Sequence, residues 1–220
     1  MSLGLKQLWS EAARGKSIGR ILTNRALAEW NGEMRGVVLD LACGHDPSYR
    51  RFLVDKNNTG KHFIGVDYNA YLSPAVVANL KESLPFADGI ADVVIVSSFL
   101  YIVPNPAILL REVRRVLKPE GMLLLTAPLI YPHVQEPTDY WRFTCDALRL
   151  LLEQTGFAGI TIIPVGGRWT AAAYLLSPFL RPSWFLAPLV YWICLQLDLW
   201  TERFFKIPTC PIGYVARGTL

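Results

Sequence analysis

Gly36-Val37-Val38-Leu39-Asp40-Leu41-Ala42-Cys43-Gly44 decides how this chain folds. Val37 to Leu41 is a run of β-branched and leucine side chains interrupted only by Asp40. A strand of a parallel sheet, buried on both faces, needs such a run, because neither face alternates toward water. Gly44 follows in a turn where backbone without a Cβ can approach a ligand closely.

The same pattern recurs along the chain. His62-Phe63-Ile64-Gly65-Val66-Asp67 and Ala91-Asp92-Val93-Val94-Ile95-Val96-Ser97 read as further buried strands, and Met122 to Ala127 as another. Ala75 to Leu80 is a short one, and Gly159–Val165 and Ile212–Arg217 complete a set of seven. Helices fall between them. Residues 5–31 carry Ile18, Ile21, Leu22, Leu27 and Trp30 at helical spacing and stop at Asn31-Gly32. Residues 107–117 place Leu109, Leu110, Val113 and Val116 on one face, with Lys118-Pro119-Glu120-Gly121 as the expected stop and turn. Thr144 is placed as the N-cap of a helix over 147–154, with Gly156 just past its end. Strands alternating with helices predict a parallel α/β sheet with helices on both faces. Ile212–Arg217 is expected to join the sheet antiparallel, as an edge-closing hairpin partner of Gly159–Val165.

In open α/β sheets ligands bind at the carboxyl ends of the strands. The first strand ends at Asp40 and the turn Ala42-Cys43-Gly44, and the second at Asp67. A carboxylate at the second position can accept two hydrogen bonds from a ribose diol, and a charged group at a buried strand end needs a partner. A dinucleotide site would carry G-x-G-x-x-G around its pyrophosphate. This turn has one glycine and two acids, Asp40 and Asp46, which repel a pyrophosphate and suit a ligand bearing an amino group and a sulfonium. That favours S-adenosyl-L-methionine (SAM) over NAD.

Val38-Leu39-Asp40-Leu41-Ala42-Cys43-Gly44 resembles the first motif of the class I SAM-dependent methyltransferases, and Ile64-Gly65-Val66-Asp67 resembles the second. Leu84-Pro85-Phe86 before the Ala91 strand is similar to the middle of the branch that methylates small molecules, lipids and glycans. So is the Leu110–Gly121 stretch. The resemblance spans roughly residues 36–160. It implies a Rossmann-like fold, with a seven-stranded, mostly parallel sheet and an antiparallel last strand. It also implies SAM as cofactor. Asp40, Ala42, Cys43 and Gly44 would meet its methionine part. Asp67 would bind its ribose, Tyr68 would lie near the ribose or adenine, Asn79 and Leu80 would meet the adenine, and Ser97 would line the transfer site. The family's first motif usually holds more glycines than this chain, and an acid usually stands where Asn79 does.

Methyl transfer needs alignment of donor and acceptor, and a base if the acceptor is a hydroxyl. The segment 128–144 offers Tyr131, Pro132, His133, Glu136, Asp139, Tyr140, Trp141 and Arg142. Histidine is the side chain suited to exchanging a proton in this pH range, so His133 is the expected base. Asp139 either orients it or binds substrate, or pairs with Arg142 to fasten the loop. After the fourth strand stands Ser97-Ser98-Phe99-Leu100, where relatives acting on amide or adenine nitrogens commonly carry Asn-Pro-Pro-Tyr. The expected acceptor is therefore a hydroxyl, or less readily a carbon, of a small hydrophobic, lipid-linked or glycan-linked molecule. A methyltransferase-like binding or scaffold protein without turnover, and an RNA methyltransferase, are the competing readings.

Apolar residues make up 52% of the 220, an excess concentrated in 169–205. Its uninterrupted part, Trp184 to Leu195, is shorter than the roughly 20 residues a membrane span needs. A lid over a greasy acceptor, a monotopic membrane contact and a homodimer interface all fit it. Lys6, Arg14, Lys16, Arg20 and Arg25 outnumber Glu11 and Glu29 in the first helices, which suits anionic headgroups. The net charge of +4 argues against nucleic acid as partner, and Arg111, Arg114, Arg115 and Lys118 read as a solvated helix face. Cys43, Cys145, Cys194 and Cys210 form no C-x-x-C pair, so no metal is expected. No secretory leader is visible in residues 1–16, which points to a cytoplasmic protein, peripheral to a membrane if the insert docks there. The expected organisation is 1–35 N-terminal helices, 36–168 SAM-binding core, 169–205 helical insert and 206–220 last strand.

Overall fold

The computed structural model describes residues 4–54, 60–136, 138–180, 185–205 and 209–220. Among the described residues seven strands form one sheet: β1 (Gly36–Leu41), β2 (Lys61–Asp67), β3 (Val76–Val77), β4 (Ala91–Ser97), β5 (Leu117–Pro128), β6 (Ala158–Val165) and β7 (Gly213–Thr219). Their order is β3-β2-β1-β4-β5-β7-β6. β1 to β5 pair in parallel, and β7 runs antiparallel to both β5 and β6. The antiparallel last strand is as expected. Its place is not, because β7 inserts between β5 and β6 and leaves β6 at the edge. An apolar strand such as Tyr214-Val215-Ala216 gains more when paired on both sides, with Val215 and Ala216 fully buried.

The buried runs explain the layering. On β1, Val38 faces one core and Leu39 the other; on β4, Val93 and Ile95 oppose Val94 and Val96. One face is covered by α4 (Pro106–Val116) and α5 (Cys145–Gln154). The other is covered by α1 (Leu5–Ala12), α2 (Ile18–Ala28), α3 (Arg50–Leu53), α6 (Arg168–Leu175) and α8 (Ala187–Phe205); α7 (Ser177–Leu180) follows α6. The N-terminal helices and the helices of the insert, far apart in sequence, thus share one layer, α1 packing on α8 and α2 on α6.

Two expectations about the middle of the chain change. α4 does stop at Val116, but Lys118-Pro119-Glu120-Gly121 lies within the start of β5 instead of forming a separate turn, with Glu120 at a φ of 64° and a register irregularity against β4. Of the basic face of α4, Arg111 and Arg114 are exposed as expected, whereas Arg115 and Lys118 are committed. Arg115 donates to Glu112, Asp88 and the carbonyls of Leu84 and Phe86, and Lys118 pairs with Asp92. These bonds clamp Leu84-Pro85-Phe86 against α4, and they hold the Glu112 carboxyl down at about 2. The predicted N-cap is present, Thr144 accepting from the Ala147 amide.

A carboxylate helps to fasten the insert. Asp198 of α8 accepts from the amides of Trp169 and Thr170 and from the Thr170 hydroxyl, at 2.7, 3.0 and 2.7 Å. It therefore caps the first turn of α6, where the amides have no partner within the helix. Gly167 allows the approach, since a Cβ there would stand 2.6 Å from the Asp198 carboxyl carbon. Trp192 packs against the core beneath, whereas Trp184, with Arg181 and Pro182, lies outside the described residues.

Candidate active site

β1, β2, β4 and β5 end on the same edge of the sheet because they are parallel, so their terminal residues converge. After β1 the backbone turns through Ala42 and Gly44, at φ of 54° and 65°. Ala42 bears this at a strain of about 1–2 kcal/mol. A Cβ on Gly44 would meet nothing within 4 Å, so the turn presents open backbone. Asp67 at the end of β2 braces it: one oxygen accepts from the Gly44 amide at 3.0 Å, the other from the Asn69 amide at 3.1 Å. Each oxygen keeps acceptor capacity for a further donor, so the turn and Asp67 suit a nucleoside with a diol.

The other expected cofactor residues are placed unequally. Asp40 is fully buried, its oxygens taken by the Tyr49 hydroxyl at 2.5 Å and Arg50 at 2.8 Å, so it fastens α3 under the turn rather than facing a ligand. Burial pushes its carboxyl up, partly countered by those two bonds. The Cys43 thiol is buried against Gly65 and pushed up by that burial and by Asp40 and Asp67. Tyr68 stands 70% exposed beside Asp67. Asn79 is exposed, its side chain bonded to the Lys81 amide and to Glu82. Leu80 packs in the core with Val66 and Val96, so its side chain does not face the site.

Ser97 is buried behind the surface, 3.3 Å from the Thr126 hydroxyl. The residues that reach the open side are Ser98, at a φ of 51°, and Thr126, which accepts from the Ser98 amide at 2.8 Å. They line a cleft of about 520 Å³ bounded by Lys16, Ser17 and Arg20 at the start of α2, by Tyr131 and Val134 after β5, by Tyr174, Leu175 and Pro178 of the insert, and by Tyr214 of β7. Thr126 and Tyr214 carried no expectation, Arg20 was read only as a headgroup-facing cation and Tyr174 only as part of the insert; a hydroxyl near the end of a buried strand was the one local signal, at Thr126.

His133 and Asp139 are not brought together in the cleft. His133 is exposed, and it is its neighbours Pro132 and Val134 that line the cavity. Asp139 is held by both Arg142 nitrogens, at 2.5 and 2.6 Å, and by the Val134 amide. Arg142, whose charge lowers the Asp139 carboxyl, also lies over the Tyr101 ring and bonds the Tyr131 carbonyl. The pair therefore fastens the loop that carries Tyr131.

Residues 39–125 match the family model described as a methyltransferase domain. Over that span the chain carries a methyltransferase domain. The matched span contains the Ala42–Gly44 turn, Asp67 and Ser98. A curated relative, the human thiol S-methyltransferase TMT1B, is 34% identical over 98 residues, which is 44% of this chain. The chain covers only 35% of that protein's length. Among solved structures, a SAM-dependent methyltransferase from Archaeoglobus fulgidus superposes with a TM-score of 0.59 at 18% identity, over 91% of this chain and 94% of the other. A Haemonchus contortus phosphoethanolamine N-methyltransferase 2 in complex with SAM gives 0.61 at 15% identity, over 99% and 57%. These structural likenesses concern the fold, and they extend beyond the matched span to nearly the whole chain.

Proposed function

We propose that the chain transfers a methyl group from SAM to a hydroxyl or thiol of a small, largely apolar acceptor. The observation that carries this is the cleft itself, which opens at the carboxyl ends of β4 and β5, the edge that also carries the SAM-side turn and Asp67. SAM supplies an electrophilic methyl on a sulfonium; the protein's part is to bind and align. Burial pushes the Tyr174 and Tyr214 hydroxyls up, so both stay protonated near neutral pH and donate hydrogen bonds to an acceptor. Among the described residues the lining includes no carboxylate or imidazole. An acceptor that ionises unaided suits it, and a thiol, with a pKa of about 8.5, does so far better than an alcohol. The name of the human relative supports the same acceptor.

Calorimetric titration with SAM, then transfer of labelled methyl to thiophenol and to phenol, tests this. SAM binding with transfer to at least one acceptor is expected; a wild-type protein that binds no SAM would be a scaffold. A base role for His133 predicts a loss of about 10²–10⁴-fold in the His133→Ala variant. The expected loss is far smaller, because the ring is exposed and off the lining. A loss of that full size at unchanged SAM affinity would return His133 to the mechanism.

A second reading, peripheral membrane contact, rests on α8. Its inner face buries Ala187, Tyr191, Leu195 and Asp198, while Leu189, Ile193, Trp200 and Phe204 recur at helical spacing on the exposed side. Trp200 is 51% and Phe204 62% exposed, more apolar surface than a solvated helix face carries. No described helix is long and apolar enough to cross a membrane, so the contact proposed lies in the interface plane. Wild type should float with phosphatidylcholine/phosphatidylserine liposomes, and Trp200→Ser/Phe204→Ser should not. A wild type that stays unbound and sediments as a dimer assigns the stripe to a second copy instead.

A further inference from the structure

We infer that the acceptor carries an anionic group, a carboxylate or phosphate, which Arg20 and Lys16 hold in the cleft. This rests on the reading of the cleft as the acceptor pocket. Both side chains are half-buried and both line it. Arg14, Arg50, Arg115 and Arg142 each have a carboxylate partner. Among the described residues the Arg20 and Lys16 side chains have no hydrogen bond or ion pair, and Arg20 stands near enough to Tyr174 to act on its hydroxyl. Partial burial of a cation is unfavourable unless an anion or strong acceptors compensate. The remaining polar lining is neutral, mainly Ser98, Thr126 and the hydroxyls of Tyr131, Tyr174 and Tyr214. An anion entering here would meet two cations and no competing carboxylate from the described lining. Neither Gly44 nor Asp67 lines this cavity, which separates the two cations from the SAM-side turn. A planar guanidinium can grip a carboxylate or phosphate through two parallel bonds while the lysine adds a point charge.

The test compares 4-mercaptobenzoate with thiophenol as methyl acceptors in wild type, Arg20→Gln and Lys16→Gln. The wild type should show a KM lower by about tenfold or more for the carboxylated thiol, the usual size of one charge-assisted contact. That gap should close in Arg20→Gln and narrow in Lys16→Gln, with SAM affinity unchanged. Equal KM values in the wild type overturn the proposal. So does an Arg20→Gln variant that loses SAM affinity but keeps the gap, since the cations then hold the carboxylate of SAM. A readout free of turnover separates this from failure of the proposed activity. Protein saturated with S-adenosylhomocysteine is titrated with benzoate and with phenyl phosphate. Binding that disappears in Arg20→Gln supports the anion site even if no thiol is methylated, and the tighter probe tells carboxylate from phosphate. No binding of either probe to the wild type refutes it.

Discussion

Replacing Asp67 by alanine is expected to remove nearly all affinity for SAM. The carboxylate closes β2 at the open edge of the sheet, is 5% exposed, and already accepts from the Gly44 and Asn69 amides. Each oxygen has capacity for one ribose hydroxyl as well. Two charge-assisted bonds at about 1.5–3 kcal/mol each correspond to a loss of roughly 10²–10⁴ in affinity. The alanine variant also frees the Gly44 amide, so the turn that should receive the methionine part loses its brace. Asp67→Asn is informative because its amide nitrogen cannot accept: one of the two backbone amides, or one ribose hydroxyl, must go without a partner. Calorimetry with SAM and with S-adenosylhomocysteine, on variants checked for native circular dichroism, measures both. Wild-type affinity in the alanine variant would mean that the ribose binds elsewhere.

The second large effect is on stability. Asp198→Ala is expected to destabilise the fold by about 3–5 kcal/mol, the usual cost of leaving a buried, charge-assisted network without its anion. Two donors, the Trp169 and Thr170 amides, lose their acceptor at once, and the Thr170 hydroxyl is left with the Gly167 carbonyl alone. For a chain of this size that corresponds to a fall in Tm of about 10 °C. The same latch holds α6, whose Tyr174 and Leu175 line the cleft. The KM for an acceptor should therefore rise while SAM affinity, set on the β1–β2 side, stays near wild type. Asp198→Asn should fall between, since its single oxygen cannot serve all three donors. Thermal and urea unfolding decide the matter; an unchanged midpoint in the alanine variant would show that α6 is held by apolar packing alone.

Acid at strand ends was legible in the sequence, but the direction each acid faces was not. Asp40 and Asp67 both follow buried runs and read alike as ligand groups. In the fold Asp67 keeps acceptor capacity at the open turn, while Asp40 is consumed by Tyr49 and Arg50, ten or fewer positions away at the start of α3. Ser97 and Ser98 differ only by the alternation of a strand, and the left-handed φ at Ser98 decides which one reaches the cleft. His133 was singled out for its titration range, a property of the side chain alone. Its exposure follows from the Asp139–Arg142 pair and the Val134 amide, which set the course of the loop.

The sequence by itself determined what depends on local pattern: seven β-branched runs, the helices between them, the glycine turn after β1, the acid after β2, and so the class of fold and cofactor. Local pattern suffices there because burial on two faces and a ligand-facing turn each impose residue types on adjacent positions. Tertiary structure alone decided the acceptor side. Its walls come from α2, β4, β5, α6 and β7, joined by contacts between residues up to almost 200 positions apart, and β7 reaches its place only by inserting between β5 and β6. Arg20 and Tyr174 carry no mark in sequence that they meet; they do so because α2 and α6 must bury their apolar faces against the same side of the sheet.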